Sequence, residues 1–125
     1  MSLNHVVAWI DHAEAHIIHF NPKALESDAV KVTSTYAHGH TKAGVDKAVN
    51  SGDAVHYFDA VAEAVKDARE ILVVGPGMEK LAMMKHLIKH QHQVAEKVVS
   101  VETVDHPNDA QLLAYARKYF DKNAD

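Results

Sequence analysis

Residues 70–77 read Glu70-Ile71-Leu72-Val73-Val74-Gly75-Pro76-Gly77. The apolar run is too short for a helix, is rich in β-branched residues and is closed by a Gly-Pro-Gly turn. It therefore reads as a central strand buried on both faces. On its N-terminal side Phe58, Val61, Ala62 and Val65 recur at helical spacing, which predicts an amphipathic helix from His56 to near Asp67. On its C-terminal side Leu81, Met84, Leu87 and Ile88 predict a second helix with those residues on its apolar face. A buried strand between two helices is the signature of an α/β arrangement with a parallel pair.

Working outward, Val6-Val7-Ala8-Trp9-Ile10 and Ala15-His16-Ile17-Ile18-His19-Phe20 are two β-prone runs separated by turn-forming residues. They predict an antiparallel hairpin turning over Asp11 to Glu14, ended by Asn21-Pro22. In the second strand His16 and His19 fall on opposite faces. Asp28 to Thr35 reads as a third strand. Lys97 to Val101 is the last apolar run, with Asp105-His106-Pro107-Asn108 as its exit turn. Asn108 and Gln111 have capping-box spacing, and Leu112, Leu113, Ala116, Tyr119 and Phe120 form the inward stripe of the helix that follows. The order is β-β-β-α-β-α-β-α: a three-stranded meander and two crossovers, giving a mixed sheet with helices on both faces. Ribonuclease H-like α/β folds share this order. Gly75 should end a strand flanked by the first and last strands, with Trp9, Val73 and Val99 inside the sheet layer.

Composition narrows the function classes. The chain has 125 residues, 47% hydrophobic and 24% charged, which suits one domain over residues 1–125 with a polar tail at 121–125. It has no cysteine, so thiolate metal sites, disulfides and cysteine nucleophiles are excluded. No apolar run is long enough to cross a membrane and the first residues do not resemble a signal peptide, so a cytoplasmic protein is expected. The net charge of -4 argues against coating of DNA or RNA by bulk electrostatics, and DNA is not an expected partner. The 11 histidines are an unusual share.

The chain resembles the middle domain of the eukaryotic and archaeal class-1 peptide-chain release factors and their pelota relatives. It is also similar to small bacterial single-domain proteins described as translational machinery proteins. The resemblance is carried by Val7-Ala8-Trp9-Ile10-Asp11, Lys42-Ala43-Gly44, Glu70 to Pro76, Val99 to Pro107, and Asp109 to Phe120. It implies a ribosome or RNA partner. In release factors the loop between the third strand and the first helix carries Gly-Gly-Gln, which promotes hydrolysis. Here that loop reads His38-Gly39-His40-Thr41-Lys42-Ala43-Gly44. No catalytic residue carries over, and a non-catalytic accessory role without termination activity or cofactor is expected.

The segment from Tyr36 to Ala54 holds three glycines and no apolar periodicity, and its length marks it as the functional candidate. Three lysines against one aspartate give residues 31–50 a local charge of +2. His38 and His40 add to it when protonated, below about pH 6.5. Glycines admit phosphates to backbone amides and lysine supplies a point charge. His38, Gly39, His40, Lys42, Gly44 and Lys47 are therefore the expected RNA-contact residues; the alternative is a plain solvated connection.

Other constellations point to other chemistry. His86/His90 at i, i+4 and His38/His40 at i, i+2 have metal-ligand spacing, with His92 and His106 unassigned. Neither pair has the further ligands a site needs, and Lys89 would repel a cation, so His86 and His90 are expected on a solvated helix face. A histidine-rich metal-binding or protein-protein module stays open. Asp11 ends the first strand where ribonuclease H-like nucleases keep a metal-binding carboxylate, and Glu63 and Asp105 are its candidate partners. The competing account makes Asp11 a turn residue bonded to its own backbone. Gly75-Pro76-Gly77 lacks the lysine and serine of a phosphate loop and reads as a strand-to-helix turn. Ser100 lies within a strand and has no nucleophile motif.

Overall fold

The computed structural model describes residues 4–23, 26–33 and 54–122. Among them the chain forms β1 (His5–Ile10), β2 (Glu14–Phe20), β3 (Ser27–Thr33), α1 (Ala54–Val65), β4 (Glu70–Gly75), α2 (Glu79–His90), α3 (His92–Ala95), β5 (Val98–Thr103) and α4 (Asp109–Lys122). The strands make one sheet in the order β3-β2-β1-β4-β5. β1 pairs antiparallel with β2 and parallel with β4; β2–β3 is antiparallel and β4–β5 parallel. The fold is thus α/β, a mixed five-stranded sheet with helices on both faces.

β1 and β4 occupy the middle, so successive side chains go into two different cores. Val6, Ala8, Ile10, Ile71 and Val73 meet α1 and α2 on one face, through Phe58, Val61, Met83 and Leu87. Val7, Trp9, Leu72 and Val74 meet α4 on the other, through Leu112, Ala116 and Phe120. A continuous apolar run is what a strand with both faces covered requires. Gly75 ends β4 as expected, and its lack of a side chain is steric: an added Cβ would stand 2.3 Å from the Ile10 carbonyl oxygen of β1.

The hairpin turns where the sequence placed it. Asp11 Oδ1 accepts hydrogen bonds from the amides of Ala13 (2.8 Å) and Glu14 (2.9 Å), and the Asp11 amide donates to the Glu14 carbonyl. At α4 the capping box forms in both directions: the Gln111 amide donates to Asn108 Oδ1 at 2.8 Å and the Asn108 amide to Gln111 Oε1 at 3.0 Å.

Two expectations about faces are corrected. Val99 is 42% exposed, not inside the sheet layer. β5 is an edge strand, and its pairing skips from Ile71↔Val98 to Leu72↔Ser100, leaving Val99 as the extra residue of a bulge. In α2 the buried residues are Lys80, Met83 and Leu87, whereas Leu81 is 48% and Ile88 58% exposed. The helix is rotated from the predicted stripe, with Met83 and Leu87 packed into the core beside Phe58 and Val61. Lys80 buries its stem and donates from Nζ to the Gly77 carbonyl at 2.6 Å, closing the turn after β4.

Candidate functional site

The expected contact residues His38, Gly39, His40, Lys42, Gly44 and Lys47 lie outside the described residues. The segment they belong to runs from the end of β3 to the start of α1. Lys31 on β3 lies 3.6 Å from Glu14, so that lysine is paired and subtracts from the free positive charge near the segment.

The ends of β1, β4 and β5 form a cleft of about 290 Å³ lined by Asp11, His12, Gly77, Glu79 and His106 among others. The outer side of parallel strand ends is where α/β folds place ligands. Asp11 has one carboxylate oxygen committed to the turn, and its carbonyl accepts the Tyr57 hydroxyl at 2.7 Å. Its other oxygen is 3.8 Å from His106 Nε2, and His106 Nδ1 is 3.0 Å from Asp105. Glu63 instead pairs with Lys66 at 2.7 Å on the exposed side of α1. The three carboxylates considered for a nuclease are not assembled. Among the described residues no group of three or more His, Asp and Glu side chains is placed to hold a metal ion.

Beside this cleft Trp9 lies between two histidines, with ring centroids 5.6 Å from His16 and 5.1 Å from His106. Its indole N–H donates to the Asp105 carbonyl at 2.6 Å, tying β1 to the loop before α4. His16 in turn lies 2.7 Å from Glu14 and 3.2 Å from Asp109. His19 points to the other face and contacts the Ala64 carbonyl at 2.8 Å, as the strand alternation requires.

The same pairing recurs through the molecule and accounts for much of the histidine surplus. His5 lies 3.3 Å from Glu70, His92 3.4 Å from Glu96, and His86 2.8 Å from Asp59. His86 is therefore not on a solvated face: its side chain is 10% exposed, held between α1 and α2 beside Phe58. The His5–Glu70 and His86–Asp59 pairs join residues far apart in the chain, which sequence spacing does not disclose. Hydrogen bonding to His16 holds the Glu14 carboxyl below its ordinary pKa, and bonds from His86 and Gln91 do so for Asp59. Burial pushes His5 down, against the opposing pull of Glu70.

Ser100 and Gly75 are held in hydrogen bonds that join β5, its exit and β4. Ser100 Oγ donates to Glu102 at 3.1 Å, and Glu102 also accepts the Tyr115 hydroxyl. Burial and that carboxylate push the Tyr115 hydroxyl up to about 12. The Gly75 carbonyl accepts from the Val104 amide at 3.0 Å. No described helix is long and apolar enough to cross a membrane.

This arrangement of sheet and helices has counterparts among solved structures of translation factors. The Thermoplasma acidophilum Pelota protein matches 97% of the chain with a TM-score of 0.64 and 20% identity. The archaeal translation termination factor aRF1 matches 94% at 0.54 and 11% identity. S. cerevisiae Dom34, described as a translation termination-like factor involved in RNA quality control pathways and interacting with Hbs1, matches 94% at 0.52 and 10% identity. The fold is that of the pelota and aRF1 middle domain. The chain spans 32% of the Pelota protein, 39% of aRF1 and 37% of Dom34. No family model and no curated protein matches the sequence.

Proposed function

We propose that this protein is a non-catalytic accessory component of the translation machinery, cytoplasmic, that contacts the ribosome or its RNA through the Tyr36–Lys47 segment. The observation that carries this reading is the fold, shared over at least nine-tenths of the chain with Pelota, aRF1 and Dom34. A pelota-like fold alone does not specify an activity. The segment where a release factor would carry its hydrolytic glutamine instead offers two lysines, two histidines and two glycines between residues 38 and 47. Those groups suit phosphate binding, and the glutamine that the resemblance would assign to ester hydrolysis is not among them.

Sedimentation of tagged protein with purified ribosomes tests the reading. The protein should pellet with ribosomes at low salt and be released as salt rises, since phosphate contacts by lysine exchange with counterions. Protein that stays in the supernatant at low salt would reject the reading. A peptidyl-tRNA hydrolysis assay giving release above background would reject its non-catalytic part.

A further inference from the structure

The groove between α1 and α2 has a character of its own. It encloses about 220 Å³ and is lined by Val55 and Phe58 of α1 and by Lys85, His86, Lys89 and His90 of α2. The chain carries a net charge of -4, yet the exposed residues of α2 are Leu81, Ala82, Lys85, Ile88, Lys89 and His90, with no acid among them. Neither Lys85 nor Lys89 has an ion-pair partner among the described residues; Asp59, the carboxylate at the groove, is taken by His86 and Gln91. The two lysines are one turn apart, about 6 Å along the helix axis. That is the scale of the step between neighbouring phosphates of a nucleic acid strand.

A row of rings leads to the same place. Tyr57 and Phe58 stack at 5.8 Å, Phe58 and His86 lie at 5.7 Å, and His86 and His90 at 5.0 Å with 37° between planes. The inner members are fixed by burial and by the His86–Asp59 bond, whereas His90 is exposed. A rigidly backed ring beside free ammonium groups is the combination that single-stranded nucleic acid binding uses: phosphates on cations, a base on the ring. An acidic protein segment would use the lysines but has no need of the ring.

We propose that this groove binds single-stranded RNA, with Lys85 and Lys89 on neighbouring phosphates and a base stacked on His90. The inference rests on the reading of the protein as an RNA or ribosome contact, but it assigns contact to residues other than those of the loop. Val55, in the first turn of α1, places the groove at the C-terminal root of that loop.

Fluorescence anisotropy with a labelled 12-nucleotide oligouridylate tests it at pH 8, where an ordinary imidazole is neutral. Lys85→Ala and Lys89→Ala should each weaken binding at least threefold and each reduce the salt slope by about 0.7. His90→Ala should weaken binding about fivefold, the low end of base stacking at ~1 kcal/mol, without changing the slope, and His90→Phe should restore it. If Lys42→Ala/Lys47→Ala abolishes binding while Lys85→Ala/Lys89→Ala leaves affinity and slope unchanged, the loop alone makes the contact and this inference falls while the proposed function stands. If polyglutamate binds as well as the oligonucleotide and His90→Ala affects neither, the groove is a protein site and the inference also falls. A wild-type protein that binds neither oligonucleotide nor ribosomes would overturn both.

Discussion

A Cβ on Gly75 would lie 2.3 Å from the Ile10 carbonyl oxygen, well inside contact distance and against backbone that cannot swing away. Gly75→Ala must push β4 from β1 at the centre of the sheet. Overpacking of this kind costs on the order of 1–3 kcal/mol, read as a drop in the urea midpoint. Titration at single residues gives a second expectation. Glu14 and Asp59 have folded pKa values below their unfolded ones, because histidine neighbours hydrogen-bond the ionised carboxyl. Their contributions are present above the unfolded carboxylate values, around 4, and are lost as pH falls through the folded values. Both carboxyls are substantially solvated, so each contribution is well under ~1 kcal/mol. His5 is lowered chiefly by burial, so its neutral form is favoured and stability falls once pH drops below about 6.5. All three act in one direction. The thermal midpoint should decline as pH falls from 7 to about 3, through His5 below about pH 6.5 and through the two carboxyls below about pH 4, and His5→Gln should flatten the upper part of that decline. A midpoint that rises on acidification would contradict these assignments.

At the scale of elements, α4 is the piece that seals one face of the sheet. Asn108 and Gln111 cap it, and Leu112, Ala116 and Phe120 supply its buried stripe. Asn108→Ala should cost about 1 kcal/mol through loss of the cap, and Phe120→Ala about 3–5 kcal/mol through the cavity left beside Phe20 and His5, both measurable by urea unfolding. The signals that were legible in the sequence are local ones. The Asp11 turn, the capping box and the bare apolar run from Ile71 to Val74 depend on residues a few positions apart, and each forms as read. What was not legible depends on partners far along the chain. Val99 is exposed because β5 has a neighbour on one side and a bulge opposite Ile71 and Leu72. Leu81 and Ile88 are exposed because Met83 and Leu87 are the α2 residues that enter the core shared with α1. The i, i+4 spacing of His86 and His90 was visible, but the same spacing in Lys85 and Lys89 beside it marks the groove, and the ring of Phe58 that supports it comes from another helix.

On the scale of the whole molecule, one sheet separates two cores, and the Tyr36–Lys47 segment falls in the connection between the edge strand β3 and the helix α1 that covers one face. The fold it shares with Pelota, aRF1 and Dom34 corresponds to about a third of those chains. If the scaffold presents basic groups to ribosomal RNA as proposed, Lys42 and Lys47 make the contact. Affinity for purified ribosomes should be measured against salt for the wild type and for Lys42→Ala/Lys47→Ala. The double variant should bind more weakly at low salt, with a log–log salt slope shallower by about 1.4–1.8, one counterion for each lysine removed. An unchanged affinity and slope, in a variant that folds like the wild type, would contradict the proposal.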